Sequence, residues 1–488
     1  MEPVTRQQGG ELMSGDKIYA LLEDIVGSEN VSGELHTLQG YSCDPTTNPP
    51  SLPDYVVIAT TVEQIQKLVR LANRERIPVV PVVGMSNNGG LTIPVEGGIT
   101  IDLHKMNRII EINEDIGYAI VEPGVTIGQI DAELKKRGYW VSLPVGPPGS
   151  AGLVPGYILH GYGHLGGKFG INSEQITGME VVLPDGELVR LGGCAVSPYW
   201  FHRTPIPDLM GLILGWQGNT GIVTKLGINI YPRPKFKAMI GWGMFTTHEE
   251  PLPESCARFL INLGRADVTY DISGHTWGAV QIGRGLKYPL SPKPQEEPEL
   301  YFSATTYAFT EEELEVKKKV IENLVKEGIN SGLPIATTDV TERAKVEMPT
   351  KYALKYSDHR GGGGLDYIGS ITPVINWPQG IRRLNEVFDK YSFTSYIRLS
   401  IYRGTLQGMM RAIMPYNRGD ENDVEAVRKM ARETVQVILD CGGLIYKAPS
   451  FACEEMWKRG DPNFLKLLKE VKQTLDPNRI MNPGRLGL

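Results

Sequence analysis

The sequence predicts an α+β protein in two parts, a glycine-loop domain followed by an α+β cap domain built on an antiparallel sheet. Three observations predict it. At 488 residues the chain exceeds what one compact core ordinarily serves. Its first half mixes β-hairpins with helices, without the regular strand–helix alternation of a doubly wound sheet. After Pro234 the pattern shifts to longer helices, near 310–328 and 421–440, alternating with strands such as YIRLSIYRG at 396–404. The expected boundaries are 1–235 for the first domain, 236–454 for the cap, and 455–488 for a closing helix and tail that return to the first domain.

Within the first domain, residues 56–83 read as strand, helix, strand. Val56, Val57 and Ile58 are a β-branched run, Thr60 or Thr61 can cap the helix, and Glu63 or Gln64 sits at the reciprocal capping position. Ile65, Leu68, Val69 and Ala72 follow at i, i+3, i+4 and i+7, one apolar stripe facing a sheet, and Val79–Val83 is the next strand. Residues 98–103 and 109–138 predict a strand, a hairpin turning at Asn113–Asp115, and a short helix after Pro123-Gly124. Pro184-Asp185-Gly186 turns a second hairpin across 179–191, and a strand over 221–234 closes the domain. Between these, 141–172 is so rich in glycine and proline that it predicts one long functional loop. In the cap, SPKPQEEPEL (291–300) and HRGGGGLDY (359–367) predict surface loops.

Composition narrows the function. With 41% hydrophobic residues, 22% charged and a net charge of −6, the chain is a globular protein too acidic to track a nucleic-acid backbone or to favour an anionic membrane surface. No apolar run has the length of a membrane span, and MEPVTRQQGGELMSGD lacks the basic-then-apolar plan of a secretory signal, so a cytoplasmic location is expected. Five cysteines, at 43, 194, 256, 441 and 453, form no Cys-x-x-Cys pair, and eight histidines form no HExxH. Reduced thiols and no protein-bound metal are the expectation.

The segment PVVPVVGMSNNGG (78–90) carries the first functional signal. Two prolines stiffen its approach, and Gly84, Gly89 and Gly90 can take the positive φ needed to fold around a phosphate. Pro81, Val82, Val83, Gly84, Met85, Ser86, Asn87 and Asn88 are therefore expected to cradle a diphosphate through bare N–H groups, without a Walker lysine. An ordinary strand-to-loop turn has the same composition, and the loop alone leaves both readings open.

Four further motifs follow in order: VEPGVT (121–126), VVLPDGELVR (181–190), GNTGIVTKLG (218–227) and the ending LDPNRIMNPGRLGL (475–488). Together with the first loop they resemble the FAD-binding domain of the vanillyl-alcohol oxidase and p-cresol methylhydroxylase (PCMH-type) superfamily, closely over 50–235 and more loosely beyond. The resemblance implies an FAD with its pyrophosphate against the 82–88 turn, further contacts from the 146–172 loop, and a cap over the isoalloxazine ring. In that loop it points to Pro147, Gly149, Ser150, Gly152, Gly156, Tyr157, Gly161, Gly163, His164, Gly166 and Gly170. Gly218, Asn219, Gly221 and Ile222 would lie beside the adenine or ribitol end, a plain β-turn being the alternative, and Asn482 belongs to the tail motif. Two phosphates need many N–H donors and little side-chain bulk, which both glycine-rich stretches supply.

Gly161-Tyr162-Gly163-His164-Leu165-Gly166 also matches GxGxxG, with Glu180 and Asp185 about twenty residues on as a Rossmann site requires. The context fails. Pro155 and Gly156 interrupt the preceding strand, and Gly166, Gly167 and Gly170 interrupt the helix that would bind a pyrophosphate, so no NAD site is expected.

Flavin chemistry on a small organic substrate needs a group that handles the substrate proton and positive charge near the pyrimidine end of the ring. CGGLIYKAPSF (441–451) resembles the stretch where relatives place a Tyr-Arg pair against the flavin, here Tyr446 and Lys447. Lysine keeps the charge and loses the planar fork. Consecutive strand residues face opposite ways, so one of the two alone points at the flavin if the strand is regular. Along 396–402, Tyr396, Arg398, Ser400 and Tyr402 share one face; if it lines the cap cavity, Arg398 can bind a carboxylate or phenolate with Tyr402 beside it, and if it meets solvent it has no such role.

Met85 and Met409-Met410 stand where relatives carry the histidine that bonds covalently to flavin, which points to non-covalent FAD. The aspartate that the vanillyl-alcohol oxidase branch places before its GMEVV strand is replaced by Gly170 and Ile171. The EHG-like motif of the D-lactate and glycolate dehydrogenase branch is absent as well. The expected activity is hydride removal from an alkylphenol, benzylic alcohol or similar molecule, as a dehydrogenase with an external acceptor: cytochrome, iron–sulfur partner, quinone or oxygen. A D-2-hydroxy-acid dehydrogenase and a flavoprotein electron-transfer subunit of a larger complex remain the alternatives, and a homo- or hetero-oligomer is open in each case.

Overall fold

The computed structural model describes residues 12–144, 146–345, 356–403 and 406–488, so most of the N-terminal stretch read for a leader, and Gly404 at the end of the expected 396–404 strand, lie outside the described residues. The capping reading holds at the helix of the 56–83 unit. Thr61 Oγ1 accepts from Gln64 N–H at 3.2 Å, Gln64 Oε1 accepts from Thr60 N–H at 2.8 Å, and the helix runs Val62–Glu75. Its Ile65, Leu68, Val69 and Ala72 are buried with Val57, Val79, Ile99 and Ile101 of the sheet beneath. That sheet has four strands in the order Val31–Ser32, Tyr55–Ile58, Ile99–Asp102, Val79–Val82, the last three mutually parallel.

The tail closes its edge. Val79 N–H donates to Ile480 at 2.7 Å and Asn482 N–H donates back to Val79 at 2.8 Å. Lys472, buried beside Asp476 at 2.6 Å, also donates to the carbonyls of Asn219 at 2.7 Å and Met481 at 2.9 Å, tying the tail to the 217–221 turn. A buried ammonium persists only with such full satisfaction.

Both predicted hairpins form and share one five-stranded sheet with Ile222–Asn229. The expected long loop does not. Residues 141–172 contain a helix over Leu153–Ile158 and a single helical turn over Gly166–Phe169. Pro155 is tolerated because it falls in the first turn, where its missing N–H has no intrahelical partner to lose. The GxGxxG stretch thus follows a helix rather than a strand, and it leads into one turn of helix where none was expected.

The cap is an eight-stranded antiparallel sheet ordered Ile335–Thr338, Phe236–Met244, Leu300–Ala308, Asp271–Thr276, Ile397–Ile401, Gln407–Tyr416, Gly364–Pro373, Leu444–Ile445. The expected 359–367 loop ends early, since Gly364 already opens a ten-residue strand. Helices Glu254–Arg265, Glu311–Asn330, Trp377–Lys390 and Glu421–Asp440 pack their buried residues into the cap core. Among the described residues, no helix is long and apolar enough to cross a membrane.

Candidate functional site

The strand Val79–Val82 delivers the chain into a cavity. Of the expected cofactor residues its wall includes Pro81, Val82, Val83, Gly84, Met85, Ser86, Asn87, Gly152, Gly221, Ile222 and Asn482. Sequence reasoning missed Gln217, which stands among them. Three non-glycine wall residues have left-handed backbone: Met85 (φ 45°), Gln217 (φ 53°) and Asn482 (φ 38°). Such conformations cost free energy and persist where surrounding bonds hold them. Here Asn482 Nδ2 donates to Gln217 O at 2.6 Å and Leu91 O at 3.2 Å, locking tail, turn and loop together.

Gly89 and Gly90 do not serve as expected. Their N–H groups point to Asp44 Oδ2 at 3.3 and 2.7 Å, so a buried carboxylate already occupies them. Asn88 is off the wall. So are Pro147, Gly149, Ser150, Gly156, Tyr157, Gly161, Gly163, Gly166 and Gly170. Several of these glycines answer to packing. A Cβ at Gly161, Gly163, Gly166 or Gly170 would run into Gly156 O, Ser142 Oγ, the Tyr162 ring or the Glu174 carboxylate respectively. Tyr157 is fully buried and donates to Ser142 O at 2.8 Å. His164 lines a second cavity under the cap, and burial lowers its imidazole to about 4, so it is no cation for a phosphate.

The wall fits a dinucleotide. Asn87 Oδ1, Thr92 Oγ1, Gln217 Oε1 and Asn482 Oδ1 are buried with no partner in the protein, at residues that all line the cavity. Orphaned polar groups of this kind are satisfied by the hydroxyls and amide edges of a bound nucleotide.

The cap sheet brings side chains into rows by register, and Ser273, His275 and Arg398 of these rows line the second cavity. His275 pairs with Arg398, Arg398 with Arg411, and Arg411 with Gly369. The next row reads Ser273, Ser400, Met409, Ile371. Tyr396, Ser400 and Tyr402 are buried, at 7%, 0% and 3% exposure, so the polar face of this strand is internal.

Tyr446 fills the place Gly369 leaves open, for a Cβ there would meet its ring at 2.7 Å. The strand ends at Ile445 and Lys447 has φ 51°, so strict alternation no longer separates Tyr446 from Lys447. Both lie near Arg411, whose guanidinium is 5.5 Å from the Tyr446 ring and 4.9 Å from that of Tyr367. Burial, with a smaller contribution from Arg411, lowers the Lys447 ammonium to about 8.

Two domains meet here. Tyr162 stacks on Tyr402 with ring centroids 5.2 Å apart, and its hydroxyl donates to Asp271 of the cap. Tyr162, Tyr402, Met409 and Tyr446 form one buried cluster with Ile171 packed against it. Burial raises the Asp271 carboxyl even though Tyr162, Arg398 and Arg343 pull it down. Tyr402 OH, Ser400 Oγ and Arg411 Nε are buried without a protein partner. Asp271, Tyr162 and Arg411 were missed as a group because tertiary contacts between distant segments, not sequence spacing, bring them together. Asp271 and Arg411 left a trace, a charge inside a strand pattern, and Tyr162, outside any strand, left none.

With this geometry the chain can be set beside known proteins. The FAD binding domain family matches residues 53–192, and the C-terminal domain family of FAD linked oxidases matches 281–486. The 4-cresol dehydrogenase [hydroxylating] flavoprotein subunit of Pseudomonas putida is 26% identical over 95% of this chain and 94% of its own. The chain belongs to the vanillyl-alcohol oxidase and p-cresol methylhydroxylase flavoprotein superfamily. It is an FAD-dependent oxidoreductase of small organic substrates. Other relatives of this flavoprotein include a probable mitochondrial D-lactate dehydrogenase of Danio rerio, 26% identical over 99% of this chain and 94% of the other. In fold the flavoprotein matches p-cresol methylhydroxylase with substrate bound at a TM-score of 0.84, 23% identity, and coverage of 100% and 98% of the two chains.

Proposed function

We propose that this flavoprotein is a cytoplasmic dehydrogenase of alkylphenols or benzylic alcohols, holding FAD without a covalent bond and passing electrons to an external acceptor. The row His275, Arg398, Arg411, with Tyr446 at its end, carries the reading. Bound in the cavity walled by residues 81–87, Gln217 and Asn482, the FAD supplies the hydride acceptor. Tyrosine rings 162, 402 and 446 offer flat faces to an aromatic substrate. The orphaned Tyr402 hydroxyl, Ser400 hydroxyl and Arg411 Nε–H offer hydrogen bonds to its oxygen. Asp271, through Tyr162, gives the substrate proton an acceptor. Lys447 adds positive charge at the seam between the 84–90 loop and the cap, since its carbonyl lies 3.0 Å from where a Gly89 Cβ would be.

Several observations support the finer points. The Pseudomonas relative is a flavoprotein subunit acting on 4-cresol, which favours both an aromatic substrate and a partner protein as acceptor. Met85 on the wall and Met409, whose Sδ accepts from Tyr446 OH at 3.4 Å, offer flavin no nucleophile of the usual kind. All five cysteines are free thiols, as a reducing compartment keeps them. A second reading, D-2-hydroxy-acid oxidation, has in its favour the D-lactate dehydrogenase relatives that match 99% of this chain. Anaerobic stopped-flow mixing separates the two. 4-Ethylphenol or benzyl alcohol should bleach the flavin absorbance faster than D-lactate or glycolate; the reverse order would replace this reading with the second.

A further inference from the structure

Lys447 reaches its place at the seam through its backbone alone. Among the described residues, no hydrogen bond or ion pair holds its ammonium. Its φ is 51°, a left-handed conformation that a lysine keeps where neighbouring bonds impose it. Two bonds bracket it. On the cap side, Tyr446 N–H donates to Gly369 O at 3.2 Å. On the cofactor side, Gln217 Nε2 donates to Ala448 O at 3.0 Å, a buried bond between residues 231 apart in sequence.

Gln217 sits on a stiff turn. Its carbonyl accepts from Asn482 Nδ2 at 2.6 Å, Asn219 N–H donates to Trp216 O at 2.9 Å, and Lys472 donates to Asn219 O at 2.7 Å. The residue is 7% exposed and stands on the wall of the cofactor cavity with Gly218, Gly221 and Ile222. A carbonyl oxygen accepts and never donates, so the amide end that meets Ala448 O is the nitrogen, and Oε1 is left without a protein partner. The bond is specific to an amide. A glutamate at 217 would set a carboxylate against the Ala448 carbonyl, and an aliphatic side chain would leave that carbonyl to its weak contact with Cys453 Sγ at 3.6 Å.

We propose that Gln217 is a positioning residue: from the wall of the cofactor cavity it fixes Ala448, and through it the charge of Lys447, against the bound flavin. The inference deepens the proposed function and rests on its placement of Lys447 beside the flavin. A positive charge favours the reduced flavin in proportion to how closely it is held, because Coulomb attraction falls with distance and with access of water. A lysine has a long flexible stem and no fork to anchor it. With its ammonium unanchored, the backbone on either side of Lys447 must supply the order, and Gln217 supplies it from the domain that binds the cofactor.

The midpoint potential of the flavin in the holoenzyme, read by dye equilibration at pH 7, tests this apart from turnover of any substrate. Lys447→Met should lower the potential. Gln217→Met, which keeps the length of the side chain and loses the donor, should shift the reduction equilibrium at least tenfold the same way, about 30 mV for a two-electron couple. The double variant should fall no further than K447M alone, as expected when one residue acts through the other. A native potential in Q217M beside a lowered one in K447M would overturn the positioning role and leave Lys447 where it is placed. Additive drops would overturn it as well, since Gln217 would then act on the flavin without Lys447. An unchanged potential in K447M would instead sink the placement of Lys447, and this inference with it. If Q217M fails to fold, Gln217→Asn, whose amide is one methylene too short to span to Ala448 O, should show the same drop, and a native potential there would count against the proposal.

Discussion

Arg398 and Arg411 stand directly opposite one another on adjacent antiparallel strands, a like-charge pair inside the cap sheet. Such a pair costs stability, by analogy with the roughly 0.2–1 kcal/mol attached to cross-strand pairs generally. We propose that the pair, beside an orphaned Arg411 Nε, is kept for substrate binding. Arg411→Met should therefore raise the apoprotein melting temperature slightly and lower kcat/KM at least tenfold. A variant that keeps full activity would remove Arg411 from substrate binding.

Lys447 makes the chemistry pH-dependent. Its ammonium is lowered to about 8, so the positive charge is present at pH 7 and lost as pH rises through that value. The rate of flavin reduction should fall across that window, and Lys447→Met should be slow and flat with pH. Stability runs the other way. The unfolded lysine titrates near 10.4 and binds more protons than the folded one between the two values, so apoprotein stability rises with pH there. Lys447→Met should accordingly melt higher than the native apoprotein at pH 7, by differential scanning calorimetry.

Asp271 is the carboxylate that faces Arg343 and Arg398 while accepting from Tyr162. Removing one partner of such a cluster leaves charge uncompensated; since this group is only partly buried, the cost is about 2 kcal/mol, below that of a fully enclosed pair. Asp271→Ala should lower the urea midpoint accordingly, with Asp271→Glu recovering most of it. If the carboxylate also receives the substrate proton, Asp271→Asn should slow reduction and erase the acid limb of its pH profile, whereas a purely structural role would leave that limb in place.

Much of this architecture was legible in the residues. Thr61, Gln64 and the Ile65 stripe specify a helix locally, and Pro184-Asp185-Gly186 specifies a turn locally, because each signal lies within a few residues. The 81–87 wall was legible for the same reason. What stayed hidden was set by distant pairing. Nothing near Gly89 announces that residue 44 takes its N–H, and nothing near Tyr162 announces residue 271. The long loop was misread because glycine and proline signal irregular backbone, whereas Pro155 in a first helical turn is compatible with helix.

FAD affinity should depend on Asp44, a residue that does not line the cofactor cavity. Its Oδ2 accepts from Gly90 N–H at 2.7 Å and Gly89 N–H at 3.3 Å, and its Oδ1 accepts from Thr46 N–H at 2.9 Å. Thr47, one residue on, donates to Asp366 of the cap at 2.7 Å, so this short stretch straps the 84–90 loop to the cap sheet. Charge-assisted bonds to a buried carboxylate contribute about 1.5–3 kcal/mol each. Asp44→Ala leaves the Gly89 and Gly90 N–H groups without their acceptor, and the loop can no longer hold its left-handed Met85 in place. Flavin fluorescence on dilution should report at least a tenfold weaker FAD, and Asp44→Asn, which keeps one acceptor oxygen, should lie between. Unchanged retention of FAD in Asp44→Ala would show that the tail contact through Asn482 positions the loop unaided.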